Sequence, residues 1–157
     1  MIFKHDGGNV IVWNCTSYNG FGNLHFIDGI MDKYVYCNIL ANNIEPSIKK
    51  LGLKEYVFQQ DNDPKHTSNY LKEYFQNKNI KVLDWPSQSP DLNPIEHLWN
   101  HIKKELKNYK SNNIEDLKYN ISKIWNSIDV KITQNLVDSV PNRIIEVLRN
   151  KGGNTKY

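Results

Sequence analysis

The chain has 157 residues with a formal net charge of +3, and 39% of its residues are hydrophobic. This length allows one domain with an adequate core, which we place at residues 1–150, followed by a frayed tail at residues 151–157. The charge is too small to indicate nucleic-acid binding by itself. No apolar run approaches the roughly 18 residues of a membrane span, and Cys15 and Cys37 have no metal-ligand spacing, so we expect a soluble intracellular protein without a membrane partner.

The N-terminal third of the sequence predicts a strand pair followed by a helix. Residues 10–17 and 24–27 are rich in apolar side chains and flank a Gly-containing turn at residues 18–22, which is typical of an antiparallel hairpin. Residues 32–51 then place apolar side chains at helical spacing, with Pro46 as a point of interruption. We expect this helix to pack on the sheet.

The middle of the sequence predicts four elements in the order strand, helix, strand, helix. Asp61 closes the first strand, at the edge where open α/β sheets gather their ligands. Asn93 is the expected N-cap of the last helix, Pro94 its first residue and Glu96 its third. The predicted elements are a buried strand at residues 56–60, a helix at 69–77 with capping side chains from 66–68, a strand at 80–85, a stiff loop at 86–94 and the helix that begins there.

Asp61 and Glu96 are the two residues for which this order predicts chemistry. A short βαβ path brings the ends of parallel neighbouring strands together, so we expect the two carboxylates to meet at one edge of the sheet. Converging carboxylates can hold a pair of Mg²⁺ ions about 3.5–4 Å apart, which activates a water or a DNA 3′-hydroxyl and stabilises the leaving oxygen. Each acid also has a simpler interpretation: Glu96 completes a capping box with Asn93, and Asp61 ends a strand before a turn.

The C-terminal part of the sequence predicts further helices and one basic face. A well-capped helix opens at residues 111–115, and a last helix covers residues 133–147 with an interruption at Pro141. These helices offer apolar faces and no further chemistry. A Lys-rich face could contact DNA phosphates, although such faces are more often only solvated; it consists of Lys103, Lys104, Lys107 and Lys110.

Two segments of the sequence resemble the catalytic core of mariner-type (Tc/mariner) transposases, the cut-and-paste DDE family. They are QQDNDPKHTS, which contains Asp61, and WPSQSPDLNPIEHLW, which contains Glu96. Thirty-four residues lie between the two acids, which is the spacing of one large branch of that family. The resemblance extends outward on both sides and covers nearly the whole chain.

The resemblance implies a ribonuclease H-like α/β fold, a mixed sheet flanked by helices, and an activity that cleaves DNA at transposon ends and transfers the strands into a target. It makes Asp61 and Glu96 metal ligands and general acid/base participants, with Mg²⁺ or Mn²⁺ as the cofactor. Asn62 and His66 match motif positions beside the metal site and receive supporting roles, although a lone His after a turn is more often a cap or a surface group. The resemblance also implies DNA as the partner and a nuclear location. Association with further copies of the chain is compatible with it.

One feature of the family pattern has no match in this sequence. The family's first catalytic Asp lies on the first strand, in the middle of the sheet, whereas here residues 1–3 are too short for that strand and residues 4–8 have the composition of a loop. Asp6 and Asp28 do not sit in the matching motif, and Asp28 is most simply a turn residue. Without this strand, buried backbone groups of its neighbours would stay unpaired at about 1–3 kcal/mol each.

The sequence therefore predicts a fragment of a DDE transposase catalytic domain that lacks the first central strand and is inactive alone. One alternative is a non-catalytic nucleic-acid-binding or interaction module derived from a transposase. A stand-alone ribonuclease is a further alternative, but it needs the same missing acid.

Overall fold

The computed structural model describes residues 1–5, 8–85 and 92–150. The predicted tail, Asp6 and most of the predicted loop before Asn93 lie outside these residues. None of the described helices is long and apolar enough to cross a membrane. The described elements are β1 (Ile2–His5), β2 (Gly8–Ser17), β3 (Gly20–Ile27), α1 (Lys33–Leu51), α2 (Asn69–Asn77), α3 (Pro94–Leu106), α4 (Ile114–Ser127), α5 (Val130–Asp138) and α6 (Val140–Arg149).

The predicted hairpin is present and is formed by β2 and β3. The two strands are antiparallel, with Val12 opposite Phe26 and Trp13 opposite His25. The connecting turn is shorter than predicted, because β3 already begins at Gly20, opposite Ser17. Gly20 has a φ of 128°, a backbone conformation that glycine adopts without a steric penalty.

A strand before this hairpin contradicts the prediction of a short terminus followed by a loop. β1 pairs antiparallel with β2, placing Phe3 opposite Val10, and both side chains are buried. The Phe3 ring also packs edge-on against Trp99 of α3, with ring centroids 5.8 Å apart. A strand of four residues is thus stabilised by packing against a distant helix, which local sequence does not reveal.

Pro46 does not break α1, which contradicts the predicted interruption. The helix is continuous from Lys33 to Leu51, with Pro46 inside it on an exposed position. Its neighbours Ile44 and Ser47 are buried against the rest of the protein. Packing of this face holds the helix together, and water can bond the carbonyl that the proline leaves without a donor.

The sheet separates two hydrophobic clusters, because successive residues of β2 point to opposite faces. Val12 belongs to the cluster under α3 and α4, whereas Trp13 belongs to the cluster under α1 and α2. Each fully buried aliphatic side chain contributes about 1.5–3 kcal/mol relative to exposure. The deepest side chains are Leu98, Ile102 and Ile121 on the first side and Leu40 and Leu71 on the second.

The two strands predicted in the middle of the chain are reduced to one parallel bridge. It joins Phe58 and Val82, and its hydrogen bonds run from Phe58 N to Lys81 O at 2.8 Å and from Leu83 N to Phe58 O at 2.8 Å. The parallel direction agrees with the prediction, but the length and the burial do not, since Val57 is 48% exposed. On its β2 side, the segment before Asp61 borders a cavity.

The remaining helices lie close to the predicted positions. α2 has the predicted bounds, but Ser68 makes no side-chain capping bond and instead donates to Lys65 O at 3.3 Å, so the predicted capping side chains are wrong. The predicted interruption at Pro141 is confirmed, because α5 ends at Asp138 and Pro141 lies in the first turn of α6. A proline there costs little, since the first helical N–H groups have no intrahelical acceptor.

Candidate active site

Helix α3 presents Glu96 from a well-anchored first turn. Asn93 is the N-cap, and its Oδ1 accepts a hydrogen bond from Ile95 N at 3.4 Å. Pro94 occupies the start of the helix, as predicted. Trp99 is buried below Glu96, while Glu96 itself is exposed. The local sequence therefore fixes both the position and the outward direction of this carboxylate.

The simpler interpretation of Glu96 as half of a capping box is not supported. In a capping box the third helical residue accepts a hydrogen bond from the N-cap backbone N–H. No hydrogen bond among the described residues joins the Glu96 carboxylate to Asn93 N, and the contact between these residues runs from Glu96 N to Asn93 O at 3.2 Å. Asn93 caps the helix without a reciprocal bond from Glu96, so the Glu96 carboxylate is available for other contacts.

The segment that ends in Asp61 is attached to both neighbouring elements. Gln59 Nε2 donates to Asn93 Oδ1 at 3.5 Å, which connects it to the cap of α3. Asn62 Nδ2 donates to Trp85 O at 2.6 Å, which connects it to the end of the second bridged segment. Asn62 thus has a structural contact beside Asp61, and its predicted role in supporting a metal site stays a prediction.

Asp61 is held by hydrogen bonds to one of its two oxygens. Its Oδ1 contacts His66 Nδ1 and also accepts a hydrogen bond from Asp63 N at 3.2 Å. The His66 hydrogen bond is the main reason that the pKa of Asp61 lies below its ordinary value, while partial burial acts in the opposite direction. Asp61 stays ionised near neutral pH, and its Oδ2 has no hydrogen-bond donor among the described residues.

His66 is positioned by two residues that sequence reasoning missed. Its ring stacks on Tyr36 of α1, with centroids 3.9 Å apart. Tyr36 Oη donates to Gln60 Oε1 at 3.0 Å, and Gln60 Nε2 donates to His66 O at 2.9 Å. Burial is the main cause that raises the pKa of Tyr36, so its hydroxyl remains a donor. Gln60 could have been suspected as the neighbour of Asp61, but no sequence signal connects Tyr36 to this site.

Asp61 and Glu96 line the same cavity, whose volume is about 420 Å³. The pKa of the Met1 amino group is lowered mainly by burial, and the negative charges of Glu96 and Asp61 act against this shift. Both carboxylates are therefore close enough to act on the same ammonium group. The structure brings the two predicted acids to one site, as expected from the parallel order of the chain.

The opposite wall of this cavity is formed by the second half of β2. Pairing with β1 reaches only to Val12, which exchanges hydrogen bonds of 2.8 and 3.0 Å with Met1. Beyond that point, no described strand pairs with this edge of β2. Asn14 lies there, 7% exposed, and neither atom of its side-chain amide has a partner among the described residues. The cavity thus combines an unpaired strand edge with an unsatisfied buried amide.

The chemistry of these residues fits a hard divalent cation. Mg²⁺ prefers oxygen ligands and is often bound by one or two carboxylates, with waters and substrate phosphates in the remaining positions. Asp61 and Glu96 supply two such carboxylates. Among the described residues, no group of three or more His, Cys, Asp or Glu side chains is placed to hold a metal ion. Within the described part of the chain, a metal site would therefore draw on this pair of carboxylates.

The predicted DNA-contacting lysines lie on the same helix as Glu96. Lys103 and Lys104 belong to the last turn of α3, Lys107 is its C-cap residue, and all three are exposed. Lys103 and Lys107 line a surface groove, whereas Lys104 is not part of its lining. Their contact with DNA stays a prediction.

Comparison with known proteins places this chain in a family. A family model described as DDE superfamily endonuclease matches residues 10–118. The Tcb2 transposable-element transposase of Caenorhabditis briggsae is 44% identical over 154 residues, which cover 98% of this chain and 56% of that protein. The chain thus spans little more than half the length of this relative.

Two solved structures share the fold. The Mos1 transposase catalytic domain with raltegravir and Mg has a TM-score of 0.87 at 18% identity, covering 99% of this chain and 81% of that chain. The Mos1 transposase paired-end complex with the left transposon end has a TM-score of 0.85 at 19% identity, covering 98% of this chain and 46% of that chain. At these identities the likeness concerns the fold, which is ribonuclease H-like, as predicted.

The matched family model and the similarity to a transposase confirm the predicted resemblance. The chain belongs to the DDE superfamily endonucleases, and over nearly its whole length it is similar to part of a transposable-element transposase.

Proposed function

We propose that this chain contributes the metal-binding carboxylates of a domain that cuts and joins DNA strands, with Asp61 and Glu96 holding Mg²⁺ or Mn²⁺. The observation that carries this proposal is that both carboxylates line one cavity, while the cap of α3 is made by Asn93 alone. In such a site, divalent ions supply activation of a water or a DNA 3′-hydroxyl and stabilisation of the leaving oxygen.

Neighbouring side chains have positioning roles in this proposal. His66 holds Oδ1 of Asp61, which leaves Oδ2 for an ion, and Tyr36 holds the His66 ring. Gln59 fixes the distance between the Asp61 segment and the cap of the helix that carries Glu96. Hydrogen bonds and packing contacts to the metal-binding side chains orient those side chains, and the loss of such a contact typically lowers metal affinity about 10–100-fold.

A third acid on an additional strand completes the site in our proposal. The cavity between β2 and the Asp61 segment has an unpaired strand edge, and Asn14 lacks a partner there. A strand placed in it would pair with the residues that follow Val12 and would bring a side chain to the two carboxylates. By this account the chain as it stands binds a divalent ion weakly and does not cut DNA.

DNA is the proposed partner, in the form of transposon ends and a target, which implies a nuclear location in a eukaryotic cell. The Mos1 complex, whose fold this chain shares, contains a transposon end. Because that Mos1 structure is a paired-end complex, we also propose that a second copy of the domain takes part.

Metal-dependent nicking of supercoiled plasmid DNA tests the function. We expect no nicking by the chain alone, and nicking in Mg²⁺ or Mn²⁺ once it is fused, in native order, to the part of the Tcb2 transposase that it does not span. Asp61→Asn and Glu96→Gln should abolish the activity of the fusion. Glu73→Gln, an exposed acid on α2, is the matched control and should leave it unchanged. Nicking that survives Asp61→Asn would refute the proposed site.

A non-catalytic DNA-binding module is the second candidate, and the observation that favours it is the pair of carboxylates without a third ligand among the described residues. It predicts salt-sensitive DNA binding that is unchanged by Asp61→Asn and Glu96→Gln, and no nicking by the fusion.

A further inference from the structure

A groove on the surface of α3, separate from the metal cavity, combines an apolar floor with positive walls. Its floor includes Phe3 and Leu106, and three lysines line it. They are Lys4 from β1, and Lys103 and Lys107 from α3. No acidic side chain belongs to the lining, and no salt bridge within the described residues engages any of the three lysines. The groove therefore carries uncompensated positive charge.

The groove and the candidate active site are both bordered by the start of the chain. Met1 lines the metal cavity and Ile2 lines the groove, so β1 passes directly from one to the other. The positive charge of Lys103 also lowers the pKa of the Met1 amino group, on which Glu96 acts in the opposite direction. Lys103 is thus in electrostatic contact with the same region as the catalytic acid.

Helical phase places two of these lysines in line with Glu96. At 3.6 residues per turn, Lys103 and Lys107 lie within about 20° of Glu96 around the axis of α3, whereas Lys104 is rotated by about 80°. With a rise of 1.5 Å per residue, they lie about 10 Å and 16 Å along the axis from Glu96. DNA carries one phosphate per about 3.4 Å on each strand, so a strand running along α3 from the metal site would meet both lysines.

We propose that this groove binds the phosphate backbone of duplex DNA that leads away from the metal site, with Lys4, Lys103 and Lys107 as the contacts. This inference rests on the proposed function, because it assigns the path of the DNA on which the site acts. Lysines in the last turn of a helix are also favoured by the helix dipole. That explanation applies equally to Lys104. Lys104 was also predicted from the sequence to contact DNA, but it does not line the groove, so this proposal assigns it no DNA contact and makes it the matched control.

The test is the salt dependence of binding between the chain and a fluorescently labelled 20-base-pair duplex, measured by anisotropy from 50 to 200 mM KCl. Each phosphate contact contributes about 0.9 to the slope of log K against log salt. The double variant Lys103→Gln and Lys107→Gln should lose about 2 from that slope and bind at least about tenfold more weakly at 50 mM KCl. Lys104→Gln should leave the slope within about 0.5 of its original value.

An independent variant on the other wall is Lys4→Gln, for which we expect a slope loss of about 1. Thermal unfolding verifies that each variant is folded. Two results would refute DNA binding in the groove and leave the proposed function standing. In the first, the unchanged chain binds DNA and the double variant keeps its salt slope. In the second, Lys104→Gln loses as much of the slope as the double variant does. If the unchanged chain does not bind DNA at 50 mM KCl, the proposed DNA substrate is refuted as well.

Discussion

Gln59 Nε2 donates a hydrogen bond to Asn93 Oδ1 at 3.5 Å, and this contact joins the segment that ends in Asp61 to the cap of the helix that carries Glu96. The same Asn93 oxygen accepts the hydrogen bond from Ile95 N that starts the helix. One side chain therefore both begins α3 and sets its position relative to the other acid.

Replacing Gln59 tests whether this contact sets the geometry of the metal site. Gln59→Leu removes the contact but leaves the cap of α3 intact, so we expect Mn²⁺ affinity to fall about tenfold. The free energy of unfolding should change by less than about 0.5 kcal/mol, because the bond is long. Asn93→Ala is the comparison and should cost about 1 kcal/mol, since it also removes the cap. Unchanged Mn²⁺ affinity in Gln59→Leu would show that the contact does not position the site.

His66 should control the titration of Asp61. Because the pKa of folded Asp61 lies below its ordinary value of 3.8, the ionised carboxylate contributes stability above that pH, and this contribution is lost as the pH falls through the folded pKa. His66→Phe keeps an aromatic ring against Tyr36 but removes Nδ1. The pKa of Asp61 should then rise toward 3.8, and the variant should lose this part of its acid sensitivity.

Carboxyl NMR shifts of Asp61, followed through an acid titration, measure this effect, and urea unfolding between pH 3 and 6 measures the loss of acid sensitivity. Lys65→Gln is the control, because the Lys65 charge lowers this pKa less than His66 and the Asp63 backbone do, and its variant should titrate nearly as the original chain does. A pKa that stays depressed in His66→Phe would rule out His66 as its main cause.

Asn14 should destabilise the chain as it stands. Its amide is buried without a partner among the described residues, which typically costs about 1–3 kcal/mol. Asn14→Val removes that cost and suits a strand, so we expect the free energy of unfolding to rise by about 1 kcal/mol in urea titrations. If the fused transposase supplies a partner in the cavity, the same substitution should destabilise the fusion. A loss of stability in the chain alone would mean that the amide is already satisfied.

Pro46 should lower the stability of α1 although it does not break it. Proline inside a helix is about 3 kcal/mol less favourable than alanine, and part of this is offset by its restriction of the unfolded chain. Pro46→Ala should therefore raise the free energy of unfolding by about 1–2 kcal/mol. Equal stability in thermal and urea unfolding would show that the surrounding packing fully accommodates the ring.

Features with strong local signals could be predicted from the sequence. The start of α3 follows from Asn93 and Pro94, because capping and the fixed proline φ act within a few residues. The chain order predicts that Asp61 and Glu96 lie at one edge of the sheet, and both line the same cavity, while their roles in a metal site stay a prediction. Converging carboxylates already suggested Mg²⁺, and the resemblance to mariner-type transposases added Mn²⁺ and the DNA substrate, which residue spacing alone could not specify.

Features that depend on distant packing could not be predicted. β1 is a strand because Phe3 packs on Val10 and on Trp99, and Trp99 lies far away in the sequence. The apolar residues around Phe58 predicted a buried strand, whereas the segment forms a single bridge and borders a cavity, which its local pattern does not reveal. The stacking of His66 on Tyr36 joins the turn before α2 to α1, and the sequence patterns of these two segments contain no sign of the contact.

Binding of Mn²⁺, followed by electron paramagnetic resonance of the free ion, tests most directly whether Asp61 and Glu96 form one metal site. We expect the chain to bind Mn²⁺, and Asp61→Asn and Glu96→Gln each to weaken binding by at least about tenfold, with little further loss in the double variant because both remove the same site. Glu73→Gln should bind as the original chain does. Affinity that is unchanged in either single variant, or losses that simply add in the double variant, would contradict a site shared by the two carboxylates.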